Sequence, residues 1–416
     1  MSNFIMAEQN SRVITGDDKI FGINKLAQDM AAKEGRDKVI NATIGSLLDD
    51  AGNLIVLSSI VDVLHTLTPV EYADYAPIAG VPAFLDKVRT AAFGDYAPEG
   101  FMEAVATPGG TGAIRNTIQN YSQRGDVILT SDWYWSPYKT IAEEIERRID
   151  TYTLFDENGG FNIKSFDEKI SEILRDQHRL VILFNAPAHN PTGFSPSPEE
   201  WDGIVALLKT KAEDKSKKIV FFVDIAYIDF AGDPAASRAF LPKLSGMPDN
   251  VLVVFGFSMS KGYTVYGMRS GAMICLTQNK AIADEFKMVS MFSNRGTWSN
   301  GTRPAMMALV KIYNDPALLA KVTAEREKYS AMLAERGAAF VETAKENGVR
   351  FCPYTSGFFV TVLCDRSEEV CAELQKEGIF TVPFAKGIRI AICAISADAC
   401  RKVAASMAAA IRKVGG

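Results

Sequence analysis

The sequence offers no sign of a metal or disulfide framework. Its three histidines are scattered, and its six cysteines (Cys275, Cys352, Cys364, Cys371, Cys393 and Cys400) form no CxxC pair. Three of those cysteines sit in apolar strand-like or helix-like runs, so they read as buried free thiols, and no metal is expected. Lys+Arg at 45 against Asp+Glu at 50 gives a net charge of −5, and no basic run could neutralise a stretch of phosphates. That excludes the electrostatic footprint of a nucleic-acid binder. No apolar stretch reaches the ~18 residues of a membrane span, and the opening MSNFIMAEQNSRV lacks a signal-peptide pattern. The expected compartment is the cytoplasm, with no membrane partner. Internal repeats and Pro/Gly/Ser-rich linkers are also missing, so any domains must be interlaced.

What remains, 47% hydrophobic and 23% charged residues over 416 positions, is an ordinary globular composition. At roughly 100–200 residues per domain, the length suits two to three folding units, or one large α/β domain with a smaller companion. From about residue 100, DVILTSD, RLVILFNAP, KIVFFVDIAY, NVLVVFGFS and SGAMICLT read as buried strands with helical segments between several of them. Runs so nearly continuous in Val, Ile, Leu and Phe fit a parallel or mixed sheet covered on both faces. After Asn314 the pattern becomes a long charged helix, two strand-like runs (GFFVTVLC and IRIAICAI) and a final helix. The expected organisation is therefore an N-terminal arm and part of a small domain over 1–48, a large domain over 49–320, and the rest of a discontinuous small α+β domain over 321–416.

In open α/β sheets the ligand lies beyond the carboxyl ends of the strands, and unusual residues stand there. Gly110-Thr111-Gly112 opens a helix and would direct free N–H groups at an anion; a tight turn starting a helix reads the same way. Asn185 through Gly193, containing His189 and Asn190, follows one strand. Asp224 with Tyr227 follows another, and Ser258-Met259-Ser260-Lys261 a third, with Arg269 eight residues beyond the lysine. A lysine just past a buried strand is partly desolvated, which favours the neutral amine that attacks carbonyls. A lysine nucleophile, an aspartate, a phenol and a phosphate cradle together match the needs of pyridoxal 5′-phosphate.

AHNPTG, DIAY, SMSK with Arg269, PGGTGAIRN and INATIGSLLDDAG resemble the aspartate/aromatic branch of the class I, fold-type I pyridoxal-phosphate aminotransferases, in order from about Asp18 to the C-terminus. The resemblance implies a large α/β/α domain with a mixed, mostly parallel sheet and a smaller α+β domain. It makes Lys261 the Schiff-base lysine and proton shuttle of a ping-pong transaminase. Asp224 would bond the pyridine nitrogen, Asn190 and Tyr227 the ring oxygen, and His189 would lie behind Asp224. Gly110, Thr111, Ser258 and Arg269 would hold the phosphate, joined by Tyr75 from a neighbouring subunit. Trp135 would stack on the ring, with Trp133 as the alternative. On the substrate side, Arg389 would fork onto the α-carboxylate and Arg295 would reach a distal carboxylate across a homodimer. Here Ser299-Asn300 is followed by Gly301-Thr302, where the family usually has two prolines. Gly45 and Phe21 resemble the residues that cover the substrate. The implied partners are an amino acid, aspartate/glutamate or aromatic, and a 2-oxo acid. A decarboxylase or lyase of the same fold is the alternative chemistry.

Overall fold

A computed structural model describes residues 4–13 and 18–415. The short strand β1 (Ile40–Asn41) precedes a seven-stranded sheet made of β2 (Ala104–Thr107), β3 (Val127–Ser131), β4 (Arg148–Tyr152), β5 (Arg179–Asn185), β6 (Lys218–Asp224), β7 (Val251–Ser258) and β8 (Gly271–Leu276). Four further strands follow: β9 (Phe359–Leu363), β10 (Ile379–Phe380), β11 (Val382–Phe384) and β12 (Gly387–Ala391). The large sheet has the order β2-β8-β7-β6-β5-β3-β4, with β8 antiparallel to both neighbours and the other pairs parallel.

The central strands are buried on both faces, which explains their unbroken apolar sequences. Ile219, Phe221 and Val223 of β6 point into one core with Ile182, Phe184, Val253 and Phe255. Val220 and Phe222 point into the other with Val181, Leu183 and Val254. Each such side chain contributes about 1.5–3 kcal/mol when fully buried. The helix Gly109–Tyr121 covers the second face through Ala113, Ile114 and Ile118, packed near Phe286.

Register then lines up one edge of the sheet. Asn185 is opposite Asp224, Asp224 opposite Gly256, and Gly271 opposite both Ser258 and Thr107. The carboxyl ends of β2, β5, β6 and β7 therefore meet the start of the reversed β8 at a single rim.

The C-terminal part has its own sheet, β11-β12-β9, antiparallel throughout. Its core contains Phe340, Val360, Ile388, Ile390, Val403 and Met407. β1 pairs parallel with β10, so the segment before Gly45 is joined to this part by backbone hydrogen bonds. The 31-residue helix Pro316–Glu346 places Val322 in a large-sheet core and Phe340 in the smaller one. A fourth cluster includes Leu47, Tyr227, Phe230, Phe358 and Phe359 and so draws on both parts. All six cysteines are buried and free.

Candidate active site

Lys261 lies just past β7 in the four-residue helix Met259–Gly262, capped by Ser258, whose Oγ accepts from the Ser260 N–H at 3.2 Å. Its Nζ donates to the Gly45 carbonyl at 2.9 Å, a neutral partner rather than a carboxylate. The Tyr266, Tyr227 and Phe358 ring centroids lie 4.7, 5.6 and 5.9 Å away. Burial pushes this amine down to about 8; the thiol of Cys393 and, more weakly, Asp224 act against the fall, while Arg269 and Arg389 add to it. A substantial neutral fraction near pH 8 is what a lysine nucleophile requires.

Asp224 ends β6 and is buried. The Tyr138 hydroxyl donates to its Oδ2 at 2.7 Å, and the Ala226 N–H to its Oδ1 at 3.2 Å. Burial raises its pKa, opposed first by the Tyr138 hydrogen bond, then by the Ala226 amide and the Lys261 charge. Behind it, Asn185 Nδ2 donates to the Asp224 carbonyl at 2.9 Å, and Asn185 Oδ1 accepts from the Asn190 N–H at 2.7 Å. Asn190 Nδ2 in turn donates to the Tyr227 hydroxyl at 3.3 Å.

The side-chain partners of the His189 ring are Thr192 and Ser131 rather than Asp224. Its Nδ1 is 2.8 Å from Thr192 Oγ1 and its Nε2 is 3.5 Å from Ser131 Oγ, so both ring nitrogens are engaged away from the carboxylate. Burial holds its pKa down to about 3. The side-chain donor on Asp224 is Tyr138.

At the other end of the cleft, the helix Gly109–Tyr121 starts after Pro108, which supplies no side-chain acceptor, so first-turn amides keep their donor capacity. Gly110 and Thr111 line the cleft there. Gly109 has φ +64°, and a Cβ on it would lie 3.2 Å from Arg269 Nη2, so the guanidinium packs closely against this turn. Arg269 Nη1 donates to Ser260 Oγ at 3.4 Å and the Tyr266 carbonyl at 3.0 Å, both neutral acceptors. A cation, a helix N-terminus and the Ser258 hydroxyl therefore converge where an anion can bind.

Arg389 on β12 is 3% exposed. It donates to Asn190 Oδ1 at 3.3 Å and the Thr43 carbonyl at 2.7 Å, lies 4.5 Å over the Phe359 ring, and its Nε has no protein partner. Burial lowers it to about 10. A buried guanidinium satisfied only by neutral oxygens is suited to receive a carboxylate.

Of the two tryptophans, Trp135 lines the cleft, set edge-on to Tyr138 with centroids 5.7 Å apart. Trp133 is buried, against the β11–β12 turn at Gly387. Tyr75 is 82% exposed and Arg295, bonded to Ser299 Oγ at 2.7 Å, is also on the surface; neither lines the cleft of its own chain. Phe21, 67% exposed on the helix Lys19–Glu34, is likewise outside it. Sequence reasoning missed Tyr138, Tyr266 and Phe358, and named Asn185 only as the first residue of the segment past its strand. Tyr138 and Tyr266 carried a weak signal, three residues after Trp135 and three before Arg269. Among the described residues no group of three or more His, Cys, Asp or Glu could hold a metal, and no helix is long and apolar enough to cross a membrane.

A strand-end lysine sharing an α/β cleft with a buried aspartate and an anion cradle defines an enzyme site. Residues 37–407 match Aminotransferase class I and II, and the chain belongs to that family. It is 28% identical over 308 residues to the mitochondrial aspartate aminotransferase of Schizosaccharomyces pombe, covering 72% of this chain and 67% of that one. Against the tyrosine aminotransferase of Klebsiella pneumoniae the identity is 24% over 326 residues, covering 76% and 78%. A solved aminotransferase from Anaerococcus prevotii is similar with a TM-score of 0.95 and 42% identity, over 97% of this chain and 99% of that one. The aspartate/aromatic branch that AHNPTG and SMSK resemble is the one these curated relatives occupy.

Proposed function

We propose that this aminotransferase works with pyridoxal phosphate, with Lys261 as its carbonyl-binding amine, and moves an amino group between an amino acid and a 2-oxo acid in two half-reactions. The carrying observation is that the Lys261 amine, hydrogen-bonded to a carbonyl and pushed by burial toward its neutral form, shares one cleft with Asp224 and with the anion cradle of Gly110, Thr111, Ser258 and Arg269. These residues fit the cofactor by their chemistry: the cradle suits a phosphate monoester, Asp224 a protonated ring nitrogen, and Asn190 with Tyr227 a ring oxygen. Trp135 offers an apolar face. When bound, the cofactor supplies an electron sink that makes the Cα proton of an amino acid removable.

The chain's own part is binding and proton handling. Arg389 receives the α-carboxylate, which positions Cα for Lys261. The neutral Nζ takes the Cα proton and returns it, a role that a pKa near 8 suits at physiological pH. Phe359, beneath Arg389, and Phe358, near Lys261, set apolar rings beside these two groups and strengthen the charge recognition. The exposed Tyr75 and Arg295 serve the cleft of a second copy in a homodimer. Arg295 then selects a distal carboxylate, making aspartate and glutamate the preferred donors and aromatic amino acids the second class. The expected compartment is cytoplasmic.

Borohydride reduction of the holoprotein followed by peptide mapping should label Lys261. Adding glutamate without a 2-oxo acid should yield pyridoxamine phosphate in an amount stoichiometric with protein. Label on another lysine would refute the assignment of Lys261. Carbon dioxide or an eliminated fragment released with turnover, without pyridoxamine phosphate, would establish the decarboxylase or lyase reading instead.

A further inference from the structure

Asp224 faces two opposed influences. Its surroundings are apolar enough to raise its pKa, yet its proposed task requires the anion. Among the described residues two protein donors reach the carboxylate: the Ala226 amide, fixed by the chain, and the Tyr138 hydroxyl at 2.7 Å. Tyr138 is 1% exposed, at the start of the helix Pro137–Glu144, edge-on to Trp135 and stacked at 6.5 Å on Tyr134. Asp224 is the side-chain partner of its hydroxyl. A phenol so placed donates to an anion and carries no charge of its own, so it favours carboxylate over carboxylic acid without competing for a cationic ring. Two donors on a carboxylate with about four lone-pair sites leave acceptor capacity for a third.

We propose that Tyr138 is the positioning residue that keeps Asp224 ionised and oriented toward the pyridine nitrogen of the bound cofactor. The proposal rests on the cofactor reading above. Tyr138→Phe removes the hydroxyl and keeps the ring against Trp135. Losing one charge-assisted hydrogen bond should move the Asp224 equilibrium toward the acid, about a ten- to hundredfold effect.

The test is a binding cycle on apoprotein with two probes: pyridoxal phosphate, and the analogue in which carbon replaces the ring nitrogen. With pyridoxal phosphate, Tyr138→Phe should raise Kd about ten- to hundredfold; with the carbon analogue, whose ring offers Asp224 no proton to share, the change should fall below threefold. Tyr134→Phe, which removes a neighbouring hydroxyl not bonded to Asp224, should leave both Kd values within threefold. Replacement of Tyr138 by 3,5-difluorotyrosine, a stronger donor, should increase the preference for pyridoxal phosphate over the analogue, and it retains the hydroxyl should the Phe variant misfold. Equal loss for both probes, or fluorination without effect on the preference, overturns the proposal. Failure of the wild type to bind pyridoxal phosphate overturns the functional reading instead, so the two failures are distinct.

Discussion

Arg389 offers a test in which activity and stability respond differently to one substitution. In the free protein it is a buried cation whose partners are the Thr43 carbonyl, Asn190 Oδ1 and the Phe359 face. Burial lowers its pKa from the usual arginine range to about 10, so the folded state disfavours the charge by about 3 kcal/mol. Arg389→Met removes that penalty but strands two acceptors, each at roughly 1–3 kcal/mol. The two terms nearly cancel, and the apparent Tm should stay within about 4 °C of the wild type. Catalysis has no such offset, because a substrate α-carboxylate left opposite a thioether loses about 2–5 kcal/mol of recognition. The expected fall in kcat/KM for aspartate with 2-oxoglutarate is roughly thirtyfold to several thousandfold. A second readout is ligand stabilisation: millimolar maleate, a dicarboxylate that cannot transaminate, should raise the Tm of the wild type and leave the variant unmoved. A Tm loss above about 8 °C would show that Arg389 holds the fold, and activity within threefold of wild type would show that it does not hold substrate.

Lys261 predicts a pH effect in the apoprotein. Its folded pKa is lowered, to about 8 from 10.5, so between those values the unfolded chain carries a proton that the native one lacks, and stability rises with pH. Denaturant melts from pH 8 to 10.5 should show a rise, at most about 3 kcal/mol, that Lys261→Met abolishes; parallel curves for the two proteins would disprove the shift. Gly262→Ala would set a Cβ 1.9 Å from Asp229 Oδ2. The Asp229 side chain, 7% exposed, lies between Arg238 at 2.7 Å and Arg326 at 3.5 Å, and Arg326 also donates to the Gly262 carbonyl at 2.6 Å. Disrupting that cluster should cost about 3–5 kcal/mol in thermal melts and displace Lys261 with it, whereas a Tm within 2 °C of wild type would contradict the packing.

The parts legible in the sequence were those fixed by local pattern. β5, β6 and β7 are buried on both faces, so their sequences are unbroken apolar runs, and the polar residue ending each run falls at the rim: Asn185, Asp224 and Ser258. The sheet's outer strands gave no such signal. β4 is only partly buried and reads Arg-Ile-Asp-Thr-Tyr, and β2 is four residues long. The same physics separates the site residues. Asp224, Lys261 and Asn190 stand where a strand gives way to the rim, so their neighbours in sequence reveal them. Tyr138 meets Asp224 across 86 positions, and Leu47 donates to the Tyr266 hydroxyl across 219. In the sequence these two tyrosines are aromatics in aromatic-rich stretches, WYWSPY and GYTVYG, and only their spacing from Trp135 and Arg269 sets them apart from core packing. His189 shows the converse. Its place in AHNPTG suggested a position behind Asp224, and its ring nitrogens are engaged by Thr192, three residues on, and Ser131, at the end of β3. A chain motif thus delivers the groups that do chemistry, while the groups that set their protonation come from whichever helix packs alongside.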